Sequence, residues 1–339
     1  MLSNEEIKKR LLPPKGRVKV VLDADAYNEV DDQFEITWAF THSEKLDIQA
    51  IYAAPFNNER CDGPEDGMLR SYKEVHTIMD MAGIPNKYPV YKGSTGFLTE
   101  ENTPINSDAV DDLIRRANSM DGELLYVIAT GAITNVASAL IKDPSIAEKI
   151  VVIWLGGQPL YWSTAFEFNL SQDKIASRHV LDCGVPLVLI PTMSVASRLS
   201  TTSFELDHYL KDTSKSGEYL RKCVSDFMEE ILKKGDGGLK KLTNESGKPY
   251  LRNLSDYDES EYEVIISPKA KSKIIWDIAV IAFLVNPLWT KSQLVSSPIL
   301  KDDDTWELTE NRHPIRVVMY LDRDAILGDM FYRISKLPK

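Results

Sequence analysis

The chain is short of basic charge, short of cysteine and without any long apolar run. Lysine and arginine number 40 against 51 aspartates and glutamates, leaving a net charge of -11. Phosphate backbones attract basic surfaces, so nucleic acid is not the expected partner. A small neutral ligand remains compatible, and a surplus of carboxylates suits a protein that gathers them around a cation. The three cysteines, Cys61, Cys183 and Cys223, are far apart and lack CxxC spacing. That argues against a disulfide framework or a structural zinc site and favours a reducing, cytoplasmic setting. Residues 1–17 contain no apolar core of a signal peptide. Apolar runs such as residues 278–285 fall well short of the roughly 20 residues that span a bilayer, so no membrane association is expected.

Hydrophobic residues make up 43% of the chain and charged residues 27%, a balance that places it among globular rather than disordered proteins. Apolar runs with strand character cover residues 18–25, 46–54, 124–130, 149–157 and 186–192. Between them, helical spacing covers residues 30–40, 67–81 and 134–142. Strands alternating with helices predict an α/β fold: an open, mostly parallel, Rossmann-like sheet with helices on both faces. Polar residues then gather at the carboxyl ends of the strands, where such sheets place their ligands. Strand signals return at residues 293–300 and 315–321. We expect one domain over residues 1–339, interrupted at about 203–271. That stretch opens with an amphipathic helix at residues 217–234 and continues, rich in Gly, Asn, Ser, Asp and Lys, with little periodicity. A lid over the site and a plain solvated insertion both fit it.

The most informative segment directly follows the first strand: Asp23, Asp25, Asn28, Glu29, Asp31 and Asp32 fall within ten residues. Carboxylates crowded in this way repel one another unless a cation or hydrogen-bond donors compensate. Ca²⁺ and Mg²⁺ take oxygen ligands of this kind, although the spacing is not that of an EF-hand. An acidic turn with helix-capping aspartates is the plain alternative. A phosphotransferase of the haloacid-dehalogenase type also opens with Asp-x-Asp and uses Mg²⁺. Its motif leaves the Asp31-Asp32 pair unexplained, and Tyr27 stands where that motif carries Thr or Val.

At this point the chain resembles the inosine-uridine-preferring nucleoside hydrolase family. That family opens with a strand and Asp-x-Asp-Pro-Gly-x-Asp-Asp. Asp23, Asp25, Asp31 and Asp32 match its aspartates, with residues 26–30 two longer than Pro-Gly-x. Thr130-Gly131-Ala132-Ile133-Thr134-Asn135, Trp154-Leu155-Gly156-Gly157, Glu167-Phe168-Asn169 with Asp173, and Trp276-Asp277 resemble later family segments, in the family's order. The resemblance implies carboxylate ligands at Asp25, Asp32 and Asp277, a carbonyl ligand at Thr130, and calcium as the ion, with magnesium as the alternative. It implies that Asp25 is also the general base, and that Asp31, Asn57 or its neighbour Asn58, Glu167 and Asn169 hold ribose; Asn28, in the acidic loop, joins the substrate set. A homo-oligomer is compatible with it.

This chemistry needs these groups. An N-glycosidic bond breaks through an oxocarbenium-like transition state, which carboxylates stabilise while a base activates water. The departing base must itself be stabilised. Family members that act on pyrimidines carry a histidine where this chain has Trp276, and none of the five histidines lies beside a matched motif. Purine-specific members carry tryptophan there. Trp276, with Tyr161 or Trp162, therefore points to a stacked purine-like leaving group, such contacts being worth about 1 kcal/mol beyond burial. Trp276 as a packing residue is the plain alternative. Tyr161 also replaces a family asparagine. A metal-holding binding protein without turnover, and a hydrolase of another glycoside, stay open beside the ribohydrolase.

Overall fold

A computed structural model describes residues 2–233 and 272–339. In chain order its first half comprises α1 (Asn4–Arg10), β1 (Val18–Ala24), α2 (Asp32–Phe40), β2 (Leu46–Ala53), α3 (Pro64–Met81), β3 (Val90–Lys92), α4 (Asp108–Asn118), β4 (Leu125–Ala129), α5 (Thr134–Lys142) and β5 (Ile150–Leu155). There follow α6 (Phe168–Gln172), α7 (Lys174–Asp182), β6 (Leu187–Ile190), β7 (Ser200–Thr202), α8 (Ser203–Leu210), α9 (Lys215–Lys233), β8 (Ser272–Ile274), α10 (Ile278–Val285), β9 (Thr290–Ser296), β10 (Ile299–Leu300), β11 (Trp306–Glu307), β12 (Pro314–Leu321) and α11 (Arg323–Ile334).

Eight strands form the central sheet in the order β3-β2-β1-β4-β5-β6-β12-β9. All neighbours run parallel except β9, which lies antiparallel on the edge against β12. The inner strands β4 and β5 are buried at every position, so they read as continuous apolar runs rather than alternations. Side chains still alternate between two cores. Val20, Leu22, Ile128 and Ile153 face one side, which α2, α3, α10 and α11 cover. Val21, Val127, Val152 and Trp154 face the other, under α4, α5 and α7. No helix among the described residues is long and apolar enough to cross a membrane.

The chain order reverses between β1 and β4. Strands β2 and β3 extend from β1 one way, and β5 and β6 extend from β4 the other. The loops after β1 and β4 therefore diverge and leave a crevice at the carboxyl edge, where open α/β sheets bind ligands. Two short helices start at this crevice, and neither has a solvent face. Every residue of α10 is buried and apolar. Every residue of α2 is buried too, although it carries Asp32, Gln33, Glu35 and Thr37.

The expected strand at residues 293–300 is two, β9 and β10, because Ser296 ends the pairing with β12 and Leu300 pairs instead with Trp306. Of the excursion expected at about 203–271, residues 203–233 form α8 and α9, and Leu206, Leu210, Leu220 and Val224 join the core. Its two ends meet where β7 pairs antiparallel with β8. The rest of the expected lid lies outside the described residues.

Candidate active site

Asp25 follows β1 directly, and the loop from it ends at Asp31, the residue before α2. The Asn28 N–H donates to the Asp25 carbonyl at 2.7 Å, which turns the chain. Asn58, after β2, donates its amide to the Asn28 side chain at 2.7 Å. Arg60 donates to the carbonyls of Asn28 and Glu29 and stacks over Tyr27 at 4.6 Å. This loop is thus fixed from its neighbour, which accounts for its tolerance of the two extra residues.

From the other side, β4 ends at Ala129 and delivers Thr130 and Gly131. A side chain at Gly131 would start 3.0 Å from the Asp25 Cβ and Cγ, so only glycine lets this backbone lie against Asp25. The Thr130 hydroxyl donates to Asp32 at 3.2 Å. Asn135, the second residue of α5, donates to Asp23 at 2.7 Å. The third wall follows β5. Glu167 accepts the N–H groups of Gly157, Asn169 and Leu170 at 2.9, 3.1 and 3.1 Å, and so caps α6. The Asn169 amide donates to the carbonyls of Thr130 and Leu155 at 2.9 and 3.1 Å. The fourth contribution is Asp277, which enters at the start of α10.

Asp31, Asp32 and Asp277 converge, with one carboxylate oxygen of each within 4.8 Å of the others. All three are buried. Asp25 is 1% exposed, and neither of its oxygens has a hydrogen-bond partner. Burial, then the neighbouring Asp32 and Asp31, push the Asp25 carboxyl well above the usual range. Burial and Asp31 act in the same direction on Asp32 and Asp277. Asp31 rises less, to about 6, because burial there is opposed by the Lys273 ammonium. Lys273 is itself buried and paired with Glu29. Glu167 rises to about 7 through burial, its three backbone donors opposing. Three converging buried acids, with an unpartnered Asp25 acting on them, are a costly arrangement for a bare polypeptide. They fit a hard divalent cation, which takes oxygen ligands and returns that cost.

Hydrogen bonds and charge interactions link Asp25, Asn28, Asp31, Asp32, Thr130, Asn169 and Asp277 at the carboxyl edge of the sheet, with Glu167 bound to the Asn169 backbone beside them. Asn57 is different: its N–H donates to Gln172, and its side chain is exposed. Tyr161 stands 66% exposed on the loop after β5. Trp276 is half-buried and packs against the core beside α10, and its backbone N–H supports the Asp31 carboxylate. The Thr130 carbonyl, expected to face the ion, accepts a bond from Asn169. Sequence reasoning gave Gly131 and Asn135 no role beyond their matched segment and passed over Lys273 and Glu35. Glu35 had a signal in its place four residues after Asp31, on the helix that follows the acidic cluster.

The family described as "Inosine-uridine preferring nucleoside hydrolase" matches residues 20–327. A curated relative, the pyrimidine-specific ribonucleoside hydrolase RihA of Escherichia coli O7:K1 (strain IAI39 / ExPEC), is 29% identical over 191 residues. The match covers 50% of this chain and 58% of the relative, so the chain spans little more than half of that protein's length. The solved purine-preferring ribonucleoside hydrolase from Gardnerella vaginalis is similar with a TM-score of 0.67 at 20% identity, over 94% of this chain and 98% of that one. The type III effector protein XopQ, solved in complex with adenosine diphosphate ribose, has a TM-score of 0.66 at 14% identity, over 99% of each chain. At these identities the structural likeness speaks for the fold alone.

Proposed function

The chain belongs to the inosine-uridine preferring nucleoside hydrolase family, and from that premise we propose that it hydrolyses the N-glycosidic bond of ribonucleosides with the help of a divalent cation, calcium by preference. The observation that carries this reading is the convergence of Asp31, Asp32 and Asp277 beside the unpartnered Asp25. Asp25, Asp32, Asp277 and the Thr130 carbonyl hold the ion in this reading. When bound, it supplies a positive charge that orients water and lowers its pKa.

The residues of the chain do the rest. Asp25, buried and with both oxygens uncommitted, takes the proton of the attacking water. Asp31, kept lower in pKa than its neighbours by Lys273, accepts ribose hydroxyls as an anion. Asn28 and Asn58, already paired, border the same crevice and hold the sugar with Asp31. Glu167 and Asn169 close its far side, the second through its free carbonyl oxygen. Buried carboxylates around the ring also favour the positive charge that grows there. Trp276, with Tyr161 on its exposed loop, supports a flat leaving group in this reading, which favours a purine-like base. The family match over residues 20–327 favours this reading over the phosphotransferase alternative, which gives Asp31 and Asp32 no role.

Reducing-sugar release from a panel of purine and pyrimidine nucleosides, with calcium and with chelator, tests this. Release that stops on chelation is expected, fastest with purines. Release that persists undiminished in chelator overturns the role of the ion. A second reading, nucleoside binding without turnover, draws on Trp276 standing where the resemblance expects a histidine. Tight binding with no sugar released would favour it.

A further inference from the structure

Glu35 is 0% exposed, and neither carboxylate oxygen has a hydrogen-bond partner. It lies three residues after Asp32 and four after Asp31, so the helix turns it to the face that carries both. The Thr130 hydroxyl is beside it, but that hydroxyl donates to Asp32. Among the described residues, the charged groups that act on it, Asp32, Asp31 and Asp277, are all acidic. The basic group of the site, Lys273, is spent on Glu29 and the Ile274 carbonyl.

Packing does not call for this charge. Helix α2 is enclosed on every side, and a glutamine or leucine would fill the same space without desolvating an anion. An isolated buried carboxylate costs several kcal/mol unless a proton or a positive charge compensates. Here the acids around it deepen that cost.

Resting on the reading of the crevice as a cation site, we propose that Glu35 is an additional anionic member of that site: its negative charge, set behind Asp32, strengthens the hold on the divalent cation. It is a positioning and affinity residue, distinct from the groups that touch substrate. The inference separates charge from shape. Glu35→Gln keeps the size and removes the charge, whereas Glu35→Asp keeps the charge and shortens the chain. A group that acts by charge tolerates the second change better; a group that only fills space tolerates the first.

The test is calorimetric titration of the full chain, stripped with chelator and dialysed, with calcium chloride alone. Thermal melting with and without calcium accompanies it. We expect E35Q to bind calcium at least tenfold more weakly than the parent, and E35D to fall between the two. Stripped E35Q should melt above the stripped parent, while gaining less on calcium addition. If E35Q does not fold, Glu35→Met takes its place as the uncharged variant. Binding by the uncharged variant that equals or exceeds that of E35D overturns the inference and leaves the cation site standing. A parent that takes up no calcium overturns the cation reading and this inference with it.

Discussion

Two walls of one crevice treat buried carboxylates in opposite ways. On the β5 side, Glu167 accepts three backbone N–H groups. Asp173 beyond it accepts the Leu98 and Ala176 N–H groups and the Thr134 hydroxyl. On the β1–α2 side, Asp25 and Glu35 accept nothing, and Asp32 accepts one hydroxyl. All are buried to a similar degree. A buried acid met by donors can ionise in place; one without them needs a proton or a cation. The first wall is complete as polypeptide. The second leaves Asp25 and Glu35 without a compensating donor among the described residues.

The comparison is broken most directly by emptying each wall in turn. Asp277→Ala removes one of the three converging acids and no helix-cap bond, since Asp277 makes none. Turnover should fall at least about a thousandfold, the scale of losing the ion's several kcal/mol of transition-state stabilisation. Melting of the stripped protein should nevertheless rise, because repulsion is relieved. Glu167→Ala should do the reverse to stability and lower it by about 1 kcal/mol, the usual loss when a helix cap is removed. Denaturant unfolding of both stripped variants decides this. If both lose stability alike, the walls do not differ in the way described.

A smaller effect sharpens the second wall. Gly131→Ala would set a methyl 3.0 Å from the Asp25 Cβ and Cγ, close enough to displace Asp25 by a few tenths of an ångström. Calcium affinity should drop about tenfold, as for other groups that orient ligands rather than bind. Unchanged affinity in G131A would mean that Asp25 need not sit where the structure holds it.

The sequence was most legible where the sheet is most buried. Uninterrupted apolar runs announced β4 and β5, and the run from Asp23 to Asp32 announced the buried acidic cluster before any contact was known. Shorter or more polar elements were missed. Helix α4 is marked by a Ser107 cap, and α7 by Asp173, whose role as a cap is visible only once Leu98 and Thr134 meet it. Glu35 escaped for a related reason. Helical periodicity assigns a glutamate to the solvent face, and only the packing of α10 and its neighbours leaves α2 with no such face. Trp276 was read for its leaving-group role from the sequence alone, whereas in the fold its half-buried ring packs against the core.

The smallest effect is a dependence on pH, and it separates the protein from its ion. In the stripped protein, burial raises Glu167 from its ordinary 4.5 to about 7, and Asp23 from 3.8 to about 7. Between the ordinary values and about 7, the folded state holds protons that the unfolded state has released. Stability must then fall as pH rises through that window, since folding is favoured by the state that binds more protons. Calcium reverses the sign on the other wall, because it binds carboxylates as anions and its affinity grows as they lose protons. Melting temperatures from pH 5 to pH 8 should decline by a few degrees in chelator, while the gain on adding calcium increases over the same range. A stripped protein whose melting temperature climbs through that window would mean that these acids are ionised in the folded state without help.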